Sequence, residues 1–120
     1  MSISIIQQLG REAFTWYMLR DNEHVIIEKL NEFFFEDKKY NPNINDYYNP
    51  INNYLNIVLE KKTGIPITLS LIYIHLASYM DFKLHPINFP SHFLVKYVLD
   101  DDSDESIVID PFNKGRIADF

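Results

Sequence analysis

At 120 residues and 14.3 kDa, the chain has room for one modest hydrophobic core that removes roughly two-thirds of the unfolded surface from water. Its 47% hydrophobic and 23% charged residues exclude a disordered polyelectrolyte, and its net charge of -6 supplies no field for phosphate backbones or anionic lipid. With no cysteine there is no disulfide framework, no thiolate metal site and no thiol nucleophile.

No basic start with an apolar stretch opens the sequence and no run reaches the ~18 apolar residues of a membrane span, so a cytoplasmic protein is expected. Sixteen Ile and eleven Asn point to an A+T-rich coding sequence, which gives individual surface Asn and Lys residues little weight. Residues 2–19 carry Ile6, Leu9, Ala13, Trp16 and Tyr17 at helical spacing, interrupted by Gly10. Asp21 and Asn22 offer an N-cap to a second helix with Ile26, Leu30, Phe33 and Phe34 on one face, ended by Lys38 and Lys39. The segment YNPNINDYYNP, residues 40–50, reads as a loop whose Tyr40, Ile44, Tyr47 and Tyr48 need packing partners. Asn49 and Pro50 then open a helix that runs to Gly64.

Residues 66–80 are apolar nearly all round, which predicts a buried helix with His75 as a core residue. Runs 84–89, 93–99 and 106–110 read as strands of one antiparallel sheet, joined in part by the acidic DDDSDE, a solvated hairpin loop without the glycine and ligand spacing of a calcium loop. Helices followed by a meander predict an α+β fold in a single domain, residues 1–120, with a helical part (1–48) and a core (49–120).

Chemistry concentrates in three places: Gly64-Ile65-Pro66 at the start of the buried helix, Pro90-Ser91-His92-Phe93 at a strand start, and Ile109-Asp110-Pro111-Phe112 at a strand end. If the last two strands pair, His92 faces Asp110, the base and orienter of a catalytic triad. The partner nucleophile belongs at a helix N-terminus, where Pro66 stands. Thr68 and Ser70 are the nearby hydroxyls, Asn88 and Ser91 are candidates for lining a pocket, and His24 and His85 lack a metal-binding neighbourhood.

The blocks YLNIVLEKKTGIPITLS, INFPSHFLVKY and VIDPFNKGR resemble the transglutaminase-like superfamily, and more narrowly its SirB-type (YchA-like) branch of uncharacterised bacterial proteins, over residues 22–116. The resemblance implies a small papain-like core in which a Cys, a His and an Asp form the triad. The Cys position falls at Pro66, while His92 and Asp110 match the other two. Ser91, Lys114 and Asp81 stand where glycine is usual, and the sequence ends where the family's C-terminal helical half is expected. The resulting expectation is a catalytically inactive relative serving in protein interaction or regulation, with His92 and Asp110 as remnants, no cofactor and no metal. The alternatives are a hydrolase or acyltransferase using Thr68 or Ser70, and a shortened relic without independent function.

Overall fold

The computed structural model describes residues 2–17, 22–89, 92–99 and 106–118. Helix α1, Ser2–Tyr17, contributes Leu9 and Ala13 to the core. Gly10 interrupts the apolar pattern for a packing reason: a Cβ there would lie 2.4 Å from the ring of Tyr79. Helix α2, Glu23–Asn31, begins at Asn22, whose side chain accepts a hydrogen bond from the Val25 N–H at 3.1 Å. It passes directly into a π-helical turn, Glu32–Asp37. The widened turn rotates successive residues by less than the roughly 100° of an α-helix. That accommodates burial of three consecutive rings, Phe33, Phe34 and Phe35.

The asparagine-rich loop is ordered by its own side chains. Asn52, buried, donates to the Asp46 and Tyr47 carbonyls at 2.7 and 2.9 Å and accepts from the Asn43 amide at 2.8 Å. Asn43 in turn accepts from the Asp46 N–H, and Asn49 donates to the Asp46 carboxylate. These asparagines are structural, which corrects the low weight that codon usage suggested for them. Tyr40 is buried as expected, whereas Ile44 (73% exposed), Tyr47 and Tyr48 (91%) are not. The single helix expected after Asn49 is two pieces, a 3-10 turn at Pro50–Asn53 and helix α3, Leu55–Lys61. Between them Tyr54 adopts extended backbone, and α3 ends at a left-handed Lys62 (φ 64°), two residues before the expected stop at Gly64.

Strand β1, Asn41–Pro42, pairs in parallel with β2, Thr63–Gly64, and was not foreseen. Helix α4, Pro66–Tyr79, packs against α1, α3 and the main sheet. One stripe of it, Ile67, Leu71, His75 and Ser78, faces solvent, so the helix is not buried all round and His75 is a surface residue. The sheet is an antiparallel meander of β3 (His85–Phe89), β4 (His92–Val98), β5 (Ser106–Asp110) and β6 (Arg116–Ala118), which confirms the α+β expectation and adds β6. Burial alternates along β5, with Ile107 and Ile109 in the core. Asp81 (φ 52°) and Lys114 (φ 57°), two positions where the family resemblance expects glycine, are both left-handed. Such backbone costs an L-residue roughly 1 kcal/mol.

One hydrogen-bonded chain ties these parts together. The fully buried Tyr73 hydroxyl on α4 donates to Asn31 Oδ1 at 2.7 Å, and Asn31 Nδ2 donates to the Gly115 carbonyl at 2.9 Å. Gly115 has φ 77°, and a Cβ on it would strike Asn31. Asn31→Ala strands the buried hydroxyl and should cost about 1–3 kcal/mol. Adding Tyr73→Phe should return part of that loss, read as urea midpoints of the single and double variants.

Burial also pushes Tyr40 up to about 12 and Tyr73 up in the same direction. An unfolded tyrosine ionises near 10, so stability carried by the neutral phenols is fully present below about pH 10 and is lost as pH rises towards 12. Urea denaturation across that window should show the loss, and Tyr40→Phe should flatten it.

Candidate functional site

The start of α4, the start of β4 and the end of β5 meet at one end of the sheet. Pro66 occupies the first helical position of α4, where its missing N–H is no loss, and offers no nucleophile. Thr68, buried, folds back on the preceding residue: its hydroxyl accepts from the Ile65 N–H at 3.1 Å and donates to the Ile65 carbonyl at 3.2 Å. This satisfies one of the orphan N–H groups of the helix start and fixes how the chain enters α4. Gly64 is part of the same arrangement, because a Cβ there would come within 2.8 Å of the Thr68 oxygen and 2.9 Å of Val58. The Gly-Ile-Pro-Ile-Thr motif is thus a helix entry.

Ser70 is fully buried, and its hydroxyl donates to the Phe93 carbonyl at 3.4 Å, next in sequence to His92. This contact joins α4 to β4 and was not singled out from the sequence for that role. Asn88, exposed, pairs across β3 and β4 with Phe93, so it borders the same strand start. His92 opens β4 opposite Phe89. Ser91 and the acidic run 100–105 lie outside the described residues.

The sheet register sets the distance between the two triad-like positions. β4 and β5 pair Val95 with Ile109, and one further step sets Asp110 against Leu94. His92 is two residues beyond that point, so the pair is diagonal rather than directly opposite, at a nominal backbone spacing of roughly 7–8 Å. The Asp110 carboxylate accepts from the Phe112 N–H at 3.1 Å and from the Asn113 amide at 2.6 Å. It caps the 3-10 turn Pro111–Asn113, and its own carbonyl accepts from Gly115 N–H. Asp110, the capped turn and Gly115 therefore form one unit anchored through Asn31 to α4, a role that sequence motifs alone did not disclose. Among the described residues, no group of three or more His, Asp or Glu side chains is placed to hold a metal ion.

A helix start, a His strand and an Asp strand come in the order that the resemblance implied, and the family model described as "Transglutaminase-like superfamily" matches residues 3–119. The chain belongs to that superfamily. It is 41% identical over 113 residues to a UPF0162 protein of Xylella fastidiosa, covering 90% of this chain and 39% of the relative. It is 31% identical over 92 residues to a UPF0162 protein of Haemophilus influenzae, covering 77% of this chain and 33% of that protein. F-box only protein 21 of Homo sapiens is 38% identical over 96 residues, covering 76% of this chain and 15% of that protein. The chain thus spans at most about two-fifths of the length of these relatives. No solved structure matches it. Within the described residues, no helix is long and apolar enough to cross a membrane.

If Thr68 serves the helix entry, Thr68→Val should lower stability by about 0.5–2 kcal/mol, the usual worth of a helix cap, while Thr68→Ser keeps most of it. Paired urea titrations of the two variants would check this.

Proposed function

We propose that this chain is a catalytically silent transglutaminase-like domain whose work is to bind a protein partner. The observation that carries the reading is the state of the hydroxyls around the helix start. Pro66 fills the nucleophile position, Thr68 is committed to both backbone groups of Ile65, and Ser70 has no exposed surface. An alcohol needs both access to substrate and a free base beside it. The Asp110 carboxylate supports the same view, since both of its oxygens are used in capping the turn that follows.

Surface composition supports binding. Ile44, Tyr47 and Tyr48 are exposed, and the Tyr47 ring lies 5.7 Å edge-on to Phe112, so an aromatic surface flanks the Asp110 turn. Exposed apolar clusters of this kind mark interaction sites more often than idle surface. The match to a short stretch of F-box only protein 21 supports a module used within longer proteins. We read residues 1–120 as a single such module acting in the cytoplasm, independent of cofactor, metal and nucleic acid. His92 and Asp110 are then retained as framework, with Asn88 bordering the start of the His92 strand. The assignment to the SirB-type branch belongs to this reading.

Ser70 favours a second reading. Its bond to the carbonyl preceding Leu94 sets a hydroxyl beside the His92 strand, so a rearrangement that uncovers it would assemble a hydrolase or acyltransferase of Ser70, His92 and Asp110. Incubation with an activated acyl ester and an amine acceptor, followed by intact-mass and peptide mapping, separates the two. The expected result is no adduct on Thr68 or Ser70 and no turnover above background. An adduct on either that disappears in His92→Ala would overturn the silent-domain reading.

A further inference from the structure

An open surface cavity lies away from the Asp110 turn, between α1, the segment after the π-helical turn and the left-handed end of α3. It is open to solvent and has a volume of about 320 Å³, the low end of ligand-pocket volumes. Its apolar side is made by Ile5 and Leu9 of α1 and by Tyr40. The Tyr40 ring is held rigidly, since its hydroxyl donates to the Leu59 carbonyl at 2.8 Å and Phe34 stacks on it at 4.6 Å between centroids.

The polar side carries two ammonium groups and one carboxylate. Glu12 is fully engaged: one oxygen accepts from the Gln8 amide at 3.2 Å and the other pairs with Lys38. The Lys38 hydrogen bond holds the Glu12 carboxyl below its ordinary range despite some burial, and the positive charge of Lys62 acts in the same direction. Lys62 is thus close enough for its charge to be felt across the cavity. Its Nζ lies 5.8 Å from the Tyr40 ring centroid and has no hydrogen-bond acceptor or ion-pair partner among the described residues.

We propose that this cavity binds a carboxylate carried on a short aliphatic stem. The exposed Lys62 ammonium borders an apolar floor, so an anion whose chain lies along Ile5 and Leu9 meets both sides at once. Lys38 is already engaged by Glu12 and by Asp37 at 3.8 Å, so of the two ammonium groups Lys62 is the one left to meet an anion, and its single charge matches a single carboxylate. The same head and stem can come from a free aliphatic acid or from a peptide that ends in an apolar residue. The site shares no residue with the His92 and Asp110 end, so it does not depend on whether that end is silent.

The test is an NMR titration of the 120-residue chain with octanoate, octanamide, an acetylated tripeptide ending in a leucine carboxylate, and the same peptide as its carboxamide. Octanoate should shift Ile5, Leu9 and Lys62 signals saturably in the millimolar range, with octanamide at least tenfold weaker and binding falling as salt rises. Lys62→Met should weaken octanoate at least tenfold, and Glu12→Gln should tighten it a few-fold. A tighter peptide carboxylate identifies a protein terminus as the source of the head group, and a tighter octanoate identifies a free acid. Equal binding of octanoate and octanamide, absence of shifts at these residues, or an unchanged affinity in Lys62→Met with a dispersed spectrum would overturn the proposal.

Discussion

The constraint on which the rest depends is the hydrogen bond between the Tyr73 hydroxyl and Asn31. A phenol with no solvent contact must find its partner inside the protein. Here that partner comes from the last residue of α2, and its amide reaches on to the turn after β5. Three separate parts of the chain are located by one side chain. The π-helical turn begins immediately after Asn31, so the position of that amide and the widening that brings the phenylalanines inward are set together. Phe34 and Phe35 then pack their rings about 6 Å from Tyr73.

The same linkage gives Asp110 a meaning different from its place in a motif. In a working triad an aspartate serves the histidine. In this chain the described contacts of Asp110 are to Phe112 and Asn113, closing a turn that ends at a glycine pressed against Asn31. Thr68 likewise closes a helix entry, and Ser70 joins helix to strand. Side chains at and beside the motif positions thus hold a helix start, a strand start and a strand end in register. That geometry is itself part of the packing.

The asparagines illustrate how composition misleads. A nucleotide bias explains why the codon is common, but not where the residue ends up. Asn52 is buried with every polar atom used, Asn43 and Asn49 complete its network, and Asn22 and Asn31 cap and anchor α2. Short amides are well suited to such loops because one side chain both donates and accepts to nearby backbone.

What the sequence determined by itself followed from periodicity and local chemistry: the first helix, the start of the second at Asn22, the long helix from Pro66, three of the meander strands, the α+β class and the family, whereas the second helix, expected to run to Lys38, gives way at Glu32 to the π-helical turn. These rest on neighbours in sequence, on caps such as Asn22, and on motif blocks that stay contiguous. Tertiary structure alone decided the exposed stripe of α4, the break at Tyr54, the parallel pairing of β1 with β2 and the added strand β6, because each depends on which distant surface is present to cover or pair it. It also decided the two-residue offset between His92 and Asp110, since register comes from pairing along the whole strand rather than from the end residues. The Lys62, Glu12 and Lys38 cavity belongs to the same group: its walls come from three elements, and no local pattern signals that they converge.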